Sequence, residues 1–462
     1  MQRPLLWKIA LIGLVAFLLQ VPVEMIRGLV AERKQARDGV IAEIARGSSD
    51  AQRIVGPVLY VPWIRRGTEA TTTVDDGGHS RTVRKEKIER GTVALLPEAL
   101  SIDGTIDLQQ KHRGIYKAHL YTLNATLRGR FVLPPELGVP EAPGALEWGR
   151  ALLVLGIQDT RGIRDRVQIE WDGTPPALFP GGVDAVGAPS GIHADLGVLP
   201  VSKASVTHEF RIALSLLGTE RLDIVPVGAT TTVSLASAWP HPSFAGRILP
   251  DAGTRISGEG FDATWRTSHF ATNLAQLHQR CVQSRQCDAF NQHSLAVSFI
   301  QPVDLYQTVE RSVKYGFLFI GLTFAAFFLF EALKRLAIHP VQYALVGIAL
   351  AIFFLLLISL SEHLGFAAAY AIAAGSCVAL NGYYVAHVLR SARRGAMFGL
   401  ALGALYGLLY VILRVEDHAL LMGSLLVFAC VAAAMVATRR VDWYALGATS
   451  ATVGEAAAHK PA

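Results

Sequence analysis

Residues Val341–Leu360 read VQYALVGIALAIFFLLLISL, an apolar run without Asp, Glu, Lys or Arg. A helix of about 20 residues crosses a hydrocarbon layer of about 30 Å, so this run is long enough to span a membrane. Four further apolar stretches occur in the C-terminal part of the chain, at Val313–Phe330, Phe366–Leu389, Ala396–Leu413 and Ala419–Thr438. Because backbone polar groups in lipid must be satisfied within the segment, these five stretches are predicted to be transmembrane helices.

The N-terminus supplies a sixth apolar segment, Leu5–Val23, with Arg3 and Lys8 near its start. A cleaved signal peptide also has a charged start, so the two interpretations compete. The apolar run is longer than a usual signal-peptide core and no small-residue cleavage site follows it, which favours an uncleaved anchor. The fold class is therefore a polytopic α-helical membrane protein with six transmembrane helices.

The Lys and Arg residues of the short loops predict the orientation. With the N-terminus inside, every inner loop is basic, through Arg3/Lys8, Lys334/Arg335, Arg390/Arg393/Arg394 and Arg439/Arg440. The two short outer loops, residues 361–364 and 414–418, share a single Arg and lean acidic. Both termini are thus predicted to be cytoplasmic, and the segment between the first two crossings is exported.

This orientation divides the chain into four parts. They are an N-terminal anchor (1–27), a periplasmic domain (28–305), a five-helix bundle (306–440) and a cytoplasmic tail (441–462). The exported part begins with an amphipathic helix that continues the first crossing and ends at Gly47-Ser48-Ser49.

Beyond this helix, the exported part has the sequence pattern of strands. Apolar and polar residues alternate with period two, most clearly over Tyr121–Phe131, and Asp-Gly and Gly-Gly turns separate the runs. This pattern predicts a large, mostly antiparallel β domain, a sandwich or two stacked sheets. The strings Gly129–Pro134 and Gly246–Pro250 are similar, so two β subdomains are an open alternative.

Composition limits the expected partners. Hydrophobic residues make up 51% of the chain and charged residues 17%, which excludes an ordinary soluble protein. The formal net charge of +6 suits a protein beside anionic lipid. No long Lys/Arg run occurs, so the lipid bilayer is an expected partner and nucleic acid is not.

The four cysteines divide by location. Cys377 and Cys430 lie in predicted membrane helices, where they are interpreted as small packing residues. Cys281 and Cys287 lie close together in the exported domain, where an oxidising compartment favours a structural disulfide. A metal or redox role and free thiols are the alternatives.

Enzyme signatures are missing from the sequence. No phosphate-binding Gly-rich loop, Gly-x-Ser-x-Gly elbow or His-Glu-x-x-His helix occurs. We therefore expect no enzyme, no cofactor and no metal site.

One loop of the exported domain is a candidate binding site. Residues Trp239–Phe244 read WPHPSF, and the two prolines are interpreted as excluding a regular strand and fixing a rigid loop. Rigid aromatic loops make binding sites, which makes Trp239, His241 and Phe244 candidates. The favoured alternative is that the loop plugs one end of the sandwich.

A second candidate lies at the outer ends of the membrane helices. Glu362 and His363 end one crossing, and the loop between two later crossings carries four more ionisable residues, Arg414, Glu416, Asp417 and His418. Such groups at the ends of packed helices can gather into a polar cluster that binds an ion, shuttles protons or docks the β domain. The plain alternative is that they are solvated loop residues.

Several long strings resemble the CreD family of inner-membrane proteins, also called cell envelope integrity proteins. The resemblance rests on the strings Val55–Val58, Ser237–Phe244, Gln301–Tyr306, Arg311–Tyr315, Glu416–Leu421 and Thr438–Tyr444, and most strongly on His339–Gly347 and Ile358–His363. The resemblance covers nearly the whole chain. It implies a Gram-negative inner-membrane location, regulation by a sensor kinase and response regulator, and a role in envelope integrity and colicin tolerance. It implies no catalytic residues.

These observations favour a non-enzymatic envelope-integrity and stress-response protein, whose periplasmic domain binds an envelope component or a periplasmic partner protein. The first alternative is an ion-coupled transporter or channel that uses the outer polar cluster. The second is a periplasmic hydrolase with a catalytic group assembled in the β domain.

Overall fold

The computed structural model describes residues 3–74, 80–184, 187–299, 305–334, 338–414 and 419–439. The chain divides into two compact units, and each is described by itself. The helical unit combines Met1–Asp38 with Val303–Ala462, and the β unit is Gly39–Pro302.

Eleven α-helices lie within the described ranges. In chain order they are α1 (Arg3–Leu18), α2 (Gln20–Gly47), α3 (His269–Thr272), α4 (Leu274–Ser284), α5 (Asp288–Asn291), α6 (Leu305–Lys314), α7 (Gly316–Lys334), α8 (Pro340–Leu364), α9 (Phe366–Val388), α10 (Ala392–Arg414) and α11 (Ala419–Thr438). The predicted end of the helix that follows the first crossing is confirmed, since α2 ends at Gly47.

The helix α8 shows how local sequence sets these bounds. His339 precedes it and accepts a hydrogen bond from the Val341 backbone N–H through Nδ1, over 3.3 Å. The Gln342 side chain reaches back to the His339 N–H over 3.2 Å, and Pro340 occupies the first turn, where a missing N–H costs nothing. Gly365 ends the helix at φ 78°, a conformation that glycine adopts without strain.

Four continuous helical segments in the described chain are long and apolar enough to cross a membrane. They are Trp7–Gly47, Pro340–Leu364, Phe366–Val388 and Ala392–Arg414. A fifth crossing results if Leu305–Lys314 and Gly316–Leu329, which meet at a bend of 42°, act together. The apolar segment Leu421–Val436 is shorter. Several membrane helices are therefore present, and the count of six stays a prediction.

Aromatic side chains fill the centre of the helical unit. The Tyr406 ring on α10 lies 4.6 Å from the Phe353 ring on α8 and 4.6 Å from the Phe319 ring on α7. The Tyr370 hydroxyl on α9 donates a hydrogen bond to the Tyr406 carbonyl over 2.7 Å. These contacts join four helices around one buried cluster.

The described part of the β unit holds sixteen strands. They are β1 (Gln52–Val74), β2 (Ser80–Leu95), β3 (Ala99–Arg113), β4 (Tyr116–Leu133), β5 (Ala145–Trp148), β6 (Ala151–Ile157), β7 (Gln168–Trp171), β8 (Ala177–Pro180), β9 (Gly191–Gly197), β10 (Val206–Thr219), β11 (Arg221–Val225), β12 (Thr230–Ser237), β13 (Ser243–Gly246), β14 (Arg255–Ser257), β15 (Gly260–Ser268) and β16 (Leu295–Ser298).

The strands form two sheets. The first has the order β13-β16-β11-β1-β6-β9-β8, with β2 and β5 also paired to β1. The second has the order β14-β15-β12-β3-β4-β10-β7. Only β1 with β11 and β3 with β12 are parallel among the described pairs, so the prediction of a mostly antiparallel domain is confirmed.

Both sheets contribute to one hydrophobic core. Ile54 and Leu59 of β1 pack in it together with Ile102 of β3 and Leu127 of β4, all of them 1% exposed or less. From Tyr121 to Phe131 of β4 the odd-numbered residues are more buried than the even-numbered ones, as period two requires, which confirms the predicted strand.

A hydrogen-bonded hub fixes the β unit where α2 gives way to β1. The fully buried Gln52 places Nε2 2.8 Å from Ser49 Oγ, 2.8 Å from the Asp159 carbonyl and 2.9 Å from the Leu217 carbonyl. Its Oε1 accepts the Asp159 N–H over 3.2 Å. Beside the hub, hydrogen bonds from Arg161 lower the pKa of the Asp159 carboxyl to about 2. One side chain thus satisfies backbone groups of two distant segments and also contacts the Ser49 hydroxyl.

The last turns of α2 cover one end of the outward face of the second sheet. Ile41 and Ile44 pack against Leu120 of β4 and Leu217 of β10, which are both buried. Further along the same strands the outward positions become polar and more exposed, as at Asn124. This face is therefore apolar where the helix covers it and polar beyond.

Candidate functional site

Glu362, near the end of α8, is the centre of a polar cluster in the helical unit. Its side chain is only 8% exposed. The Tyr306 hydroxyl on α6 donates a hydrogen bond to Glu362 Oε1 over 3.0 Å, and Arg33 Nη1 on α2 lies 3.9 Å from Oε2. A buried carboxylate is therefore held between a phenol and a guanidinium, the partners that make its charge tolerable.

Arg37 completes this cluster. Its guanidinium carbon lies 5.3 Å from the centre of the Tyr306 ring, within the range of a cation–π contact. Arg33 and Arg37 are one helical turn apart, so both point to the same side of α2. With two arginines and one glutamate the cluster has a formal charge of +1, which suits the recognition of an anionic group.

The remaining residues predicted for this cluster do not all join it. His363 is exposed. Arg414 instead contacts Tyr410 on its own helix, with Nη2 2.8 Å from the hydroxyl, and within the described ranges it forms no ion pair with Glu362. Glu416, Asp417 and His418 lie outside the described residues. Sequence analysis singled out neither Arg33, Arg37 nor Tyr306, although the four-residue spacing of the arginines was a usable signal.

A second charged pair lies beside the α7–α8 connection, at the opposite end of α8 from Glu362. Lys8 on α1 pairs with Glu331 on α7, whose side chain is 7% exposed. The Tyr343 hydroxyl donates to Glu331 Oε2 over 2.8 Å, and the Ile338 N–H donates to Oε1 over 3.2 Å. Sequence analysis missed this site because the predicted crossing ended at Phe330. A charged pair with one member this buried is costly, so such pairs usually mark a locked or functional position.

In the β unit, the Trp239 loop packs against its own domain. The Trp239 ring lies 4.9 Å from the buried His119 ring, and its Nε1 donates to the His241 carbonyl over 2.9 Å. The Phe244 ring makes edge contacts with Phe261 at 5.6 Å and with Trp265 at 5.5 Å. Burial lowers the pKa of His119, with a smaller contribution from nearby Lys117.

One expectation for this loop was wrong. Ser243 and Phe244 lie in the strand β13, not in irregular loop. The strand begins directly after Pro242 and sits at the edge of the first sheet. An edge strand tolerates a proline at its start because that position needs no ladder hydrogen bond.

A buried histidine and a disulfide lie together in the small helices of the β unit. Cys281 and Cys287 are joined by a disulfide with their Cα atoms 4.5 Å apart. His278 on α4 is 3% exposed, with its ring 5.0 Å from the Phe290 ring. Burial lowers the pKa of His278 to about 4. Its Nε2 has no hydrogen-bond partner among the described residues, so its neutral form is strongly favoured.

Comparison with known proteins gives a match along almost the whole chain. Residues 4–444 match the family model described as Inner membrane protein CreD. The chain is 35% identical over 449 residues to Inner membrane protein CreD of Escherichia coli (strain K12). This match covers 96% of the present chain and 95% of the Escherichia coli protein.

Two of the solved structures that match are only distantly similar to this chain. A candidate nutrient binding protein of Legionella pneumophila is 11% identical, with a TM-score of 0.23 over 49% of this chain and 76% of that one. The M1 zinc metallopeptidase of Deinococcus radiodurans is 12% identical, with a TM-score of 0.19. That match covers 44% of this chain and 42% of the peptidase. TM-scores this low establish no shared fold.

Proposed function

Because this chain belongs to the CreD family of inner-membrane proteins, we propose that it is a non-enzymatic envelope-integrity and stress-response protein whose β domain binds an envelope component. In this proposal six helices cross the inner membrane and both termini are cytoplasmic. The segment 28–305 lies in the periplasm.

The observation that carries this proposal is the separate β unit inserted into a membrane chain. Gly39–Pro302 forms its own two-sheet core and interrupts the series of apolar helices after the first one. A domain of this size can bury a hydrophobic core of its own, so an aqueous compartment is a suitable place for it. The basic inner loops and the Cys281–Cys287 disulfide favour the periplasm as that compartment.

Thiol trapping in cells tests the placement. Intact cells are treated with a membrane-permeant alkylating reagent before lysis, and the protein is compared with a Cys281→Ser/Cys287→Ser variant under non-reducing conditions. We expect Cys281 and Cys287 to be oxidised and therefore protected from the reagent. Full alkylation of both thiols in growing cells would contradict export of the β unit.

Complementation tests the envelope role. Cells that lack the protein should be more sensitive to detergent and leak more periplasmic marker enzyme, and expression of the full chain should restore the wild-type level. An equal sensitivity of cells with and without the protein, under envelope stress, would overturn the proposed function.

A second candidate function is ion-coupled transport, and the buried Glu331 favours it. Its carboxylate is almost fully removed from water and is contacted by Lys8 and by the Tyr343 hydroxyl, and buried charged groups of this kind often mark functional positions in membrane proteins. Purified protein in liposomes with an internal pH dye tests this. Proton flux that is present in the wild type and lost in Glu331→Gln would support transport over a binding role.

A further inference from the structure

The polar part of the second sheet holds a cavity of about 650 Å³ on its outward face. It lies across β12, β3, β4, β10 and β7, near the end of the face that α2 leaves uncovered. Arg128 of β4 lies eight residues beyond the covered Leu120, a distance of about 27 Å along the strand. This volume is in the range of pockets that bind small ligands.

Arginines dominate the middle of the cavity. Arg128 on β4 is directly opposite Arg211 on β10, and Arg130 is two residues further along β4 on the same face. All three are exposed, and none forms an ion pair or side-chain hydrogen bond with another described residue. Like charges in direct opposition across two strands repel each other, so this arrangement costs stability within the domain. A bound anion would remove that cost.

The neighbours of the arginines favour a particular kind of anion. Ser101 on β3 is in register with Arg128, and Thr232 on β12 is in register with Ser101, so hydroxyls line one side. Two carboxylates line the other side, because Glu170 is opposite Arg211 and Glu209 is opposite Arg130. Isolated carboxylates would repel a simple anion, but they accept hydrogen bonds from sugar hydroxyls.

We propose that this cavity, which we call the arginine pocket, binds a phosphorylated sugar of an envelope glycan. Arg128 and Arg211 hold the phosphate with charge-assisted hydrogen bonds, for which the guanidinium is well shaped. Arg130 adds to the positive field, and Glu170 and Glu209 accept hydrogen bonds from ring hydroxyls. The inference deepens the proposed function and rests on it, since it names the class of envelope component that the β domain recognises.

Binding by the full chain in detergent micelles tests this assignment. The probe is N-acetylglucosamine 1-phosphate, compared with N-acetylglucosamine and with inorganic phosphate, in titration calorimetry at low salt. We expect saturable binding of the sugar phosphate that weakens at least tenfold in Arg128→Gln and in Arg211→Gln. Salt should also weaken it, because the contact is electrostatic.

Two matched variants separate the contributions. Arg255→Gln removes an exposed arginine from β14 of the same sheet and should leave binding unchanged. Glu209→Gln should weaken binding of the sugar phosphate several-fold, because a hydrogen-bond acceptor for a ring hydroxyl is impaired. It should leave binding of inorganic phosphate as tight or make it tighter, because a repelling carboxylate is removed. Arg128→Gln relieves the repulsion between Arg128 and Arg211, so this variant should melt at or above the wild-type temperature, which excludes misfolding as the cause of its lost binding.

Three results would overturn the arginine pocket. The first is that the wild-type chain shows no saturable binding at millimolar sugar phosphate. The second is that the wild type and the Arg128→Gln/Arg211→Gln double variant bind the sugar phosphate equally. The third is that inorganic phosphate binds as tightly as the sugar phosphate. The complementation assay distinguishes failure of the arginine pocket from failure of the proposed function. If the double variant restores envelope integrity as well as the wild type does, only the arginine pocket is contradicted. If the wild-type chain restores nothing, the proposed function itself is contradicted.

Discussion

The Tyr306 hydroxyl donates a hydrogen bond to Glu362 Oε1 over 3.0 Å and so ties α6 to α8. Tyr306 is 4% exposed and the Glu362 side chain 8%, so little water is present to replace this bond. The Arg37 guanidinium lies over the Tyr306 ring, 5.3 Å from its centre. The cluster therefore depends on the phenol both as a donor and as an aromatic surface.

Tyr306→Phe should keep the aromatic surface and lose the donor. A hydrogen bond to a charged, buried group stabilises by about 1.5–3 kcal/mol, so unfolding in detergent should become easier by that amount. Thermal unfolding of the full chain measures this loss of stability. Tyr383→Phe is the matched control, because Tyr383 is 67% exposed on α9 and its hydroxyl has no partner among the described residues. Equal melting temperatures for the two variants would contradict the role given to the hydroxyl.

Lys8 and Glu331 should behave as a coupled pair. Glu331→Leu leaves the Lys8 ammonium without its partner, and the loss of one member of a buried pair destabilises by about 3–5 kcal/mol. The double change Lys8→Met/Glu331→Leu should recover at least half of this loss, because no charge is left without a partner. A double-mutant cycle, measured by thermal unfolding, gives the interaction free energy between the two side chains. Strictly additive single effects would show that the two side chains do not interact.

Gln52→Leu should damage the β unit severely. The change removes the donor that satisfies the carbonyls of Asp159 and Leu217, and each buried group left without a partner costs about 1–3 kcal/mol. We expect a loss of about 3 kcal/mol or more in the free energy of unfolding. Gln109→Leu on β3 is the control, since Gln109 is exposed. If Gln52→Leu lowers the free energy of unfolding by no more than Gln109→Leu does, the role given to the Gln52 hydrogen bonds is wrong.

Local patterns predicted the elements of this protein well. Strict alternation over Tyr121–Phe131 identified β4, and the Gly47-Ser48-Ser49 signal marked the end of α2. Both features depend on residues that are neighbours in sequence. Runs without charges located the helices for the same reason, because hydrophobicity over one segment decides whether that segment is stable in lipid.

Contacts between distant segments could not be predicted in this way. The parallel pairing of β1 with β11 joins Gln52 to Leu222, and no local pattern specifies such a partner. Glu362 was identified as a candidate, but its partners on α2 and α6 are far away in sequence. Glu331 was overlooked because a charge at the end of an apolar run was interpreted as the end of the crossing. Its burial depends on Lys8, which only the packed structure reveals.

The buried His278 should make the stability of the β unit depend on pH. Its pKa is about 4 in the folded chain because of burial, against an ordinary value of 6.5, so the folded state disfavours the protonated imidazole. Above pH 6.5 the imidazole is neutral in the folded and in the unfolded chain, so His278 makes no pH-dependent contribution to stability there. As the pH falls from 6.5 to 4 the unfolded state binds the proton first, and stability decreases by about 3 kcal/mol across this window.

Comparison with His278→Leu isolates this effect from the titration of carboxylates. Chemical unfolding of the full chain in detergent at several pH values should show a shallower decline for this variant than for wild type between pH 6.5 and 4. His112→Leu, at an exposed position on β3, should keep the wild-type slope. Parallel declines for wild type and His278→Leu would mean that His278 is protonated in the folded state, which its apolar contact with Phe290 and its lack of a described acceptor argue against.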